Sequence, residues 1–296
     1  MDIKVYLEEK RRLIDDALER YMRSSDKYPP TIQKAMGYSL FAGGKRLRPI
    51  LTLASCEAVS GDIHCTLPFA CAIELIHTYS LIHDDLPAMD DDDYRRGVLT
   101  NHKVFGEAAA ILAGDALLTE TFRLMTDPDV ISSLEPGTIL NVINDIANAA
   151  GASGMVGGQM ADVESEGKDV AISDVEYIHT HKTGALIAVS VRTGARLGGG
   201  TQEEIELLSR YGEAIGLAFQ IVDDILNVEG DEELLGKSVG SDADRRKATY
   251  PGVLGIDASK KTAKDLMDKA ICLVEQFGDR AEPLRIIARY IEDRKR

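Results

Sequence analysis

The chain has 296 residues, and 44% of them are hydrophobic, which is enough to bury a sizeable core. Its 49 acidic residues outnumber its 34 basic residues, so the formal net charge is −15. That balance argues against a nucleic-acid-binding protein, because Lys and Arg must neutralise phosphates in such proteins.

The cysteines and the N-terminus indicate the cellular compartment. Cys56, Cys65, Cys71 and Cys272 show no CxxC pairing, and the N-terminus MDIKVYLEEKRRL is a charged amphipathic stretch rather than a signal peptide. No apolar run approaches the roughly 18 residues that span a bilayer. We therefore expect a reduced, cytoplasmic protein without stable membrane insertion.

Hydrophobic periodicity is helical along the chain, and glycines and prolines fall at the breaks between the periodic segments. No low-complexity linker, internal repeat or shift of composition divides the chain. We predict an all-α fold, with residues 1–296 forming a single domain built as one large helical bundle.

The first segment with chemical character is GGKRLRP, residues 43–49. It combines two flexible glycines, three cations and a proline suited to a first helical turn, so backbone N–H groups and side chains could converge on one anion. The alternative is that Lys45 and Arg46 are solvated loop charges.

Residues 68–83 are apolar or small at nearly every position, which predicts a helix buried on all sides in the middle of the bundle. His77, Ser80 and Asp84 share one stripe of this helix. His77 is interpreted as a ligand contact, and the alternative is a core histidine with its hydrogen bonds satisfied.

Six aspartates occupy the ten positions 84–93, and Arg95 and Arg96 follow them. Neighbouring carboxylates repel and raise one another's pKa unless a cation lies among them. Pro87 is expected to end or distort the central helix before Asp90. The alternatives are a solvated surface for the last four aspartates and simple neutralisation of the carboxylates by the two arginines.

Ser173 and Glu176 have the spacing of a capping box, which predicts a helix that opens there. A lysine interrupts the inward stripe of this helix, and its alternative is to reach the surface along its aliphatic stem. The predicted stripe comprises Val175, Ile178, Lys182, Ala185 and Val189.

Thr201 and Glu204 form a second capping box at the start of the clearest predicted helix. Apolar or small residues recur along it at helical spacing and form one continuous seam. The predicted seam comprises Ile205, Leu208, Gly212, Ile215, Phe219, Val222 and Leu226.

A second acidic site lies on this helix. Gln220, Asp223 and Asn227 share a stripe beside the apolar seam. A carboxylate on this stripe is expected to face a cavity rather than bulk water. Because an unpaired charge beside a buried seam is costly, neither Asp223 nor Asp224 is expected to be a solvated surface charge. Two acidic patches opposed across the bundle, with oxygen ligands only, favour a hard divalent ion such as Mg²⁺ shared with substrate phosphates.

The segment GDEELLGKSVGSDADRRKATYP, residues 230–251, is rich in glycine and aspartate. Its composition predicts a mobile flap over the site. Lys237 and Lys247 lie in it, and a solvated lysine is the default interpretation of each.

Taken together, these segments resemble the trans-prenyltransferase family of isoprenyl diphosphate synthases. The likeness covers nearly the whole chain in order and is closest to the bacterial members that make farnesyl diphosphate. The series is highly specific, although no single piece is. The motifs are GGKRLRP at Gly43, IHTYSLIHDD at Ile76, DDxxxxD at Asp84 with RRG after it, GGQMAD at Gly157, HKTG at His181, FQIVDDILN at Phe219 and GKSVGSD at Gly236.

The resemblance implies an isoprenoid-synthase-type bundle around a deep central cavity, usually a homodimer, in which the two aspartate motifs hold three Mg²⁺ ions. The implied metal ligands are Asp84, Asp85, Asp90 and Asp223. The implied contacts to the allylic diphosphate are Arg95, Lys182, Lys237 and Lys247. The implied contacts to isopentenyl diphosphate, which need no metal, are Gly44, Lys45, Arg48, His77 and Arg96.

The implied reaction is ionisation of an allylic diphosphate, attack by isopentenyl diphosphate on the cation, and loss of a proton to the released diphosphate. Lys182, Thr183 and Gln220 are the implied catalytic residues, the last two because their oxygen dipoles would stabilise the cation. Asn227 stands where the family's second motif has its last aspartate, and we do not expect it to coordinate metal directly.

In this family, Tyr79 and Ser80 occupy the positions that help to set product length, and the pair Pro87-Ala88 is typical of the farnesyl-forming bacterial type. Tyr79 lies about 140° from Asp84 on an ideal helix, so geometry alone favours Ser80, and the choice of Tyr79 rests on the resemblance. Its alternative is ordinary core packing.

Two other functions remain open at the level of sequence. A geranylgeranyl diphosphate synthase shares every motif and differs only in the depth of its pocket. A non-catalytic subunit of the same fold would have broken motifs, and here Asn227 is the only departure from the family pattern.

Overall fold

The structure is a computed structural model that describes residues 2–22, 29–59, 62–229 and 247–292. In these ranges the chain is helical throughout, apart from connecting loops and one short hairpin, so the all-α prediction is confirmed. The α-helices are α1 Ile3–Met22, α2 Pro30–Leu40, α3 Leu47–Val59, α4 Leu67–Asp84, α5 Asn101–Phe105, α6 Glu107–Met125, α7 Pro128–Ile131, α8 Pro136–Ala150, α9 Met155–Ser165, α10 Ile172–Ile178, α11 Ala185–Leu197, α12 Gln202–Glu229, α13 Tyr250–Leu254, α14 Ile256–Leu273 and α15 Glu282–Glu292.

Three further elements join the helices. A π-helical segment, His179–Gly184, continues α10 into α11, and a 3-10 segment, Glu275–Ala281, precedes α15. Strands β1 (Tyr94–Arg95) and β2 (Val98–Leu99) pair antiparallel. This hairpin follows the aspartate run and carries both arginines of the first acidic segment.

Helix α4 is the centre of the bundle, as the sequence predicts. No residue from Leu67 to Asp84 is exposed, and α4 packs against α1, α2, α3, α6 and α11. The helix ends at Asp84, three residues before Pro87, and that agrees with the predicted break. Its C-terminal end therefore delivers the first aspartate motif from the interior of the bundle.

Helix α12 carries the second aspartate motif. Its capping box is confirmed, because the Glu204 carboxylate accepts a hydrogen bond from Thr201 N at 2.7 Å and Thr201 Oγ1 accepts one from Glu204 N at 3.3 Å. No residue of the predicted seam is exposed. A Cβ at Gly216 would lie 2.9 Å from the Cα of Gly184, so glycine at both positions lets α12 approach the π-helical segment closely.

The predicted capping box at Ser173 is wrong. Helix α10 begins at Ile172, and the Asp174 carboxylate accepts a hydrogen bond from Ala171 N at 2.9 Å. Glu176 instead accepts a hydrogen bond from the Tyr250 hydroxyl at 2.9 Å. The shorter carboxylate closes the first turn, and the longer one is left for a tertiary contact.

The single α-helical stripe predicted for residues 175–189 is also interrupted. The π-helical segment lies inside it and changes the angular spacing of the side chains. Val175, Ile178 and Val189 are buried as expected, whereas Lys182 and Ala185 are partly exposed. In the described ranges, no helix has both the length and the hydropathy required to cross a bilayer.

Candidate active site

The first aspartate motif lies where α4 ends. The chain turns back after Asp84, and the N–H of Asp90 donates to the Asp84 carbonyl at 2.9 Å. The side-chain amide of Gln159 on α9 donates to the Asp84 carboxylate, and Lys247 Nζ lies 3.1 Å from Asp90 Oδ1. The predicted metal ligands Asp84 and Asp90 are thus neighbours, and Lys247, a predicted diphosphate contact, lies beside Asp90.

Lys182 lies between two carboxylates. Its ammonium is 2.7 Å from Asp162 Oδ2 and 4.0 Å from Asp84 Oδ2. A Cβ at Gly158 would lie 2.2 Å from the Lys182 backbone nitrogen, so α9 can approach the π-helical segment only because residue 158 is glycine. The Lys182 side chain therefore turns into the site and does not extend along its stem to the surface.

Asp84, Asp90, Asp162, Lys182 and Lys247 form a group of charged side chains, here called the carboxylate corner. Burial has the largest effect on the pKa values of Asp84 and Lys182 within it. It raises the pKa of Asp84, and Lys182 opposes that shift while Asp90 adds to it. Burial lowers the pKa of Lys182, but Asp84 and Asp162 outweigh burial and the net shift is upward. The lysine therefore stays charged, and the carboxylates gain from any further cation placed among them.

Asp85 has a different environment from Asp84. Arg95 lies 2.6 Å from Asp85 Oδ1 and 3.5 Å from Asp92 Oδ2. Burial raises the pKa of Asp85 to about 6, and Arg95 opposes the shift. Arg95 therefore neutralises carboxylates of the aspartate run, which was the alternative interpretation of this arginine. The metal-binding role of Asp85 stays a prediction.

The two carboxylates of the second motif have different surroundings. Asp223 is partly buried, and its charge is close enough to Arg48 to oppose the lowering of the Arg48 pKa that burial causes. Asp224 is 3% exposed and accepts hydrogen bonds from His179 Nε2 at 2.7 Å and from Tyr250 N at 2.9 Å. Asp224 is therefore not a solvated surface charge, as expected, and its oxygens have partners inside the protein.

A basic cluster surrounds Arg48, at the start of α3. Burial lowers the pKa of Arg48 to about 10, Glu74 opposes this, and Arg96 adds to it. Among the described residues, the buried Nε of Arg48 has no hydrogen-bond partner. Gly44 has φ 129°, and a Cβ there would lie 2.7 Å from the Arg96 guanidinium. The cluster thus offers donors and positive charge to an anion.

Arg46 does not belong to this anion site. It is 3% exposed, and its guanidinium contacts Asp15 on α1 and Glu74 on α4, each at 2.8 Å. It also donates to the Leu40 carbonyl at 2.7 Å. The three cations of GGKRLRP therefore do not converge, and Arg46 is neither a ligand contact nor a solvated loop charge.

His77 lies beside the basic cluster, and its protonation gives a testable prediction. Burial and the charge of Arg48 hold the pKa of His77 well below 6.5. The unfolded chain binds a proton near that pH and the folded chain does not, so stability falls as the pH drops below the unfolded pKa. From pH 7.5 to 5.5, we expect the wild type to lose about 1 kcal/mol more free energy of unfolding than His77→Gln.

Urea unfolding of both proteins at the two pH values measures this difference. Equal losses in the two proteins would show that His77 takes up its proton in the folded state as readily as in the unfolded chain. A charged His77 would then contribute to the basic cluster directly.

The two residues predicted to set product length lie on adjacent faces of α4. Tyr79 is 8% exposed and meets the His83 ring edge to face, with ring centroids 5.7 Å apart. His83 Nε2 lies 3.0 Å from the Ile111 carbonyl of α6. Ser80 Oγ donates to the His77 carbonyl at 2.9 Å. Tyr79 therefore packs on His83, which contacts α6, and Ser80 stays on the stripe that leads to the first aspartate motif.

The remaining predicted residues are distributed as follows. Thr183 is partly buried in the π-helical segment, and Asn227 is partly buried on α12. Gln220 donates to Asp224 Oδ1 at 3.4 Å. Lys45 is exposed. Lys237 lies outside the described residues.

Four residues of the site were not assigned a role from sequence: Gln159, Asp162, His179 and Tyr250. Gln159 and Asp162 belong to the GGQMAD motif, whose glycine pair was a usable signal of close helix approach. His179 and Tyr250 contact Asp224 from segments 45 and 26 residues away, and no local pattern predicts such pairings.

The donor set at the first motif suits a hard divalent ion. Within the described part of the chain, no three His, Cys, Asp or Glu side chains already lie close enough together to form a metal centre. Asp84 and Asp90 are adjacent, however, and carboxylate oxygens are the ligands that Mg²⁺ prefers. The residues present therefore fit an ion that completes its coordination with substrate phosphates and water.

The fold and the site define a class of all-helical bundle proteins that bring buried carboxylates and a basic cluster to one site. Residues 29–284 match the family described as polyprenyl synthetase, and the chain belongs to that family. It is 51% identical to the farnesyl diphosphate synthase of Geobacillus stearothermophilus, over 88% of this chain and 87% of that one.

Other members of the family are similar over nearly their whole length. The chain is 45% identical to a geranylgeranyl diphosphate synthase of Cyanophora paradoxa, over 99% of this chain and 97% of that one. The crystal structure of a geranylgeranyl pyrophosphate synthetase from Pyrococcus horikoshii superposes with a TM-score of 0.89 at 32% identity, covering 99% and 98% of the two chains.

Proposed function

We propose that this chain condenses isopentenyl diphosphate with dimethylallyl and then geranyl diphosphate to give farnesyl diphosphate. The observation that carries the proposal is the separation of two anion sites: a corner of carboxylates and lysines around Asp84, and a basic cluster around Arg48. A reaction between two diphosphates needs two such sites, and only one of the substrates must lose its diphosphate. The similarity to a farnesyl diphosphate synthase supports the choice of product.

The carboxylate corner is the proposed site of the allylic diphosphate and of Mg²⁺. Asp84 and Asp90 would hold the metal from the first motif and Asp223 from the second, and the number of three ions rests on the family resemblance. When bound, the metal neutralises the charge that develops on the departing diphosphate. Asp85 would join the ligands only if its ion pair with Arg95 opens.

Lys182 and Lys247 are the proposed protein contacts of the allylic diphosphate. Each ammonium already lies beside a carboxylate of the first motif, at 4.0 Å from Asp84 and 3.1 Å from Asp90. Preorganised cations of this kind stabilise the leaving group as the bond to carbon breaks. Arg95 and Lys237 complete the proposed set.

The basic cluster is the proposed site of isopentenyl diphosphate. The unpartnered Nε of Arg48 and the guanidinium of Arg96 would bind its phosphates, with Lys45, Gly44 and His77 beside them. This site needs no metal because it presents donors and positive charge rather than carboxylates.

The proposed reaction has three steps: ionisation, condensation and proton loss. The allylic carbon–oxygen bond breaks, and diphosphate leaves with the electron pair. The double bond of isopentenyl diphosphate then attacks the allylic cation at its first carbon. A proton is finally lost to the released diphosphate, and Thr183 and Gln220 stabilise the cation through their oxygen dipoles.

Tyr79 is the proposed floor of the cavity for the growing chain. Tyr79→Ala opens space between α4 and α6, so we expect a larger share of geranylgeranyl product from the variant. Chromatography of the dephosphorylated alcohols measures the shift, and Tyr290→Ala on α15 is a matched control. If Tyr79→Ala still stops at farnesyl, Tyr79 is a packing residue and the floor lies elsewhere.

We also propose that residues 1–296 form one domain and that the chain forms a homodimer. Large apolar side chains are exposed on three helices: Leu112 on α6, Leu140 on α8, and Val156 and Met160 on α9. Their exposure is typical of a face that another subunit covers. Light scattering of the purified chain measures the mass that decides this.

The experiment that tests the function is incubation of the purified chain with isopentenyl diphosphate and dimethylallyl diphosphate, with and without Mg²⁺. Farnesol recovered after dephosphorylation, only when metal is present, is the expected result. Geranylgeraniol as the main product would support the alternative that the Cyanophora relative favours. No product with any allylic starter would point to a non-catalytic subunit.

A further inference from the structure

Asp224 is a buried carboxylate of the second motif, and both of its oxygens are engaged within the protein. Its Oδ2 accepts hydrogen bonds from His179 Nε2 at 2.7 Å and from Tyr250 N at 2.9 Å. Its Oδ1 accepts one from Gln220 at 3.4 Å. A buried carboxylate with these partners stabilises the segments that supply them.

Each partner of Asp224 belongs to a segment that carries a site residue. His179 is the first residue of the π-helical segment that holds Lys182. Tyr250 begins α13 and follows Lys247 by three residues. Asp224 thus connects α12 to both segments that bring lysines to the first motif.

Further contacts close this network. The rings of His179 and Tyr250 lie nearly parallel, with an interplanar angle of 23° and centroids 5.6 Å apart. The Tyr250 hydroxyl donates to Glu176 on α10 at 2.9 Å. These contacts fix the start of α13 against the helix that leads into the π-helical segment, so the two lysine-bearing segments cannot shift independently.

We propose that Asp224 is a positioning residue that sets where Lys182 and Lys247 meet the allylic diphosphate. The inference rests on the proposed function, because it concerns the same diphosphate. Displacement of a contact by about 1 Å is enough to cost a reaction of this kind on the order of 100-fold.

The two aspartates respond differently to substitution by asparagine. In Asp224→Asn, the remaining side-chain oxygen can still accept from His179 and Tyr250, and Gln220 can turn its own oxygen to the new amide. In Asp223→Asn, the charge that would hold the metal is lost. Asp224→Ala removes all three hydrogen bonds and frees both lysine-bearing segments.

The test compares these variants by steady-state kinetics and by calorimetric binding of geranyl diphosphate with Mg²⁺. We expect Asp224→Asn to stay within about fivefold of the wild type, and Asp224→Ala to bind geranyl diphosphate roughly tenfold more weakly or worse. The KM for isopentenyl diphosphate should not rise in either variant. Asp223→Asn should lose activity roughly 100-fold and need more Mg²⁺.

Two outcomes would overturn the inference. One is an Asp224→Asn variant that loses as much activity as Asp223→Asn and needs more Mg²⁺, which would make Asp224 a ligand. The other is an Asp224→Ala variant that binds geranyl diphosphate as the wild type does.

Two controls separate this inference from folding and from the proposed function. If Asp224→Ala fails to fold, His179→Phe removes one hydrogen bond of the network alone and should weaken geranyl diphosphate binding in the same way. If the wild type forms no product, the proposed function fails, and the binding comparison still decides the role of Asp224.

Discussion

Replacing Asp84 with alanine should lower turnover by about 100-fold or more, on the scale of losing a key electrostatic contact in an active site. Asp84 ends the buried helix α4 and lies between Gln159, Lys182 and Asp90. Burial raises the pKa of its carboxyl, so the charged carboxylate gains from a cation placed beside it. Steady-state kinetics with saturating substrates and Mg²⁺ measures the loss.

The matched control is Asp93→Ala, in the same aspartate run. Asp93 is exposed, and its carboxylate pairs with Lys103 at 2.6 Å, away from the first motif. The control should retain nearly all activity. Near-normal turnover of Asp84→Ala would remove the metal assignment of the first motif, whatever the control does.

Replacing Lys182 with alanine should lower kcat/KM for the allylic substrate about 100-fold or more and also destabilise the protein. The substitution removes a cation proposed to grip the leaving diphosphate. It also leaves the largely buried Asp162 carboxylate without its partner at 2.7 Å, which should cost about 1–3 kcal/mol of unfolding free energy. Kinetics and urea unfolding measure the two effects separately.

Lys168→Ala is the control for this prediction, since Lys168 is an exposed lysine just beyond α9. We expect neither its kinetics nor its stability to change appreciably. A Lys182→Ala protein that loses stability but keeps its kcat/KM would show that the ion pair with Asp162 is purely structural. The allylic site would then depend on Lys247 and Arg95.

The sequence predicts the elements whose cause is local. Residues 68–83 are apolar on every face, and only a central position in a bundle accommodates such a helix. The capping box at Thr201 and the break before Pro87 likewise depend on residues within one turn of each other. These predictions agree with the structure because propensity, capping and burial act in the same direction there.

The errors arise where a distant partner decides the outcome. Glu176 has the spacing of a capping residue but accepts a hydrogen bond from Tyr250, 74 residues away. Arg46 follows two glycines like a loop charge but is buried between Asp15 and Glu74. Asp224 stands beside Asp223 in sequence, yet one helical position rotates it by about 100°, away from Asp223 and onto His179.

Residue roles within the site divide in the same way. Composition and spacing predicted which charged groups belong to the site. Asp84, Asp90 and Lys182 do lie together. The sequence did not predict which residues these charged groups contact. Gln159 and Asp162 reach the site from α9 only because Gly158 allows a close approach. Sequence thus predicts which chemistry is present more readily than which side chain is held by which neighbour.

The central claim is that the chain holds two diphosphates in two different ways, one with metal at the aspartates and one without metal at Arg48. Calorimetric binding of geranyl diphosphate and of isopentenyl diphosphate, each alone and each with and without Mg²⁺, tests it most directly. We expect geranyl diphosphate to bind at least about tenfold more weakly without metal, and isopentenyl diphosphate to bind equally well in both conditions. Equal dependence of both ligands on Mg²⁺, or of neither, would contradict the account.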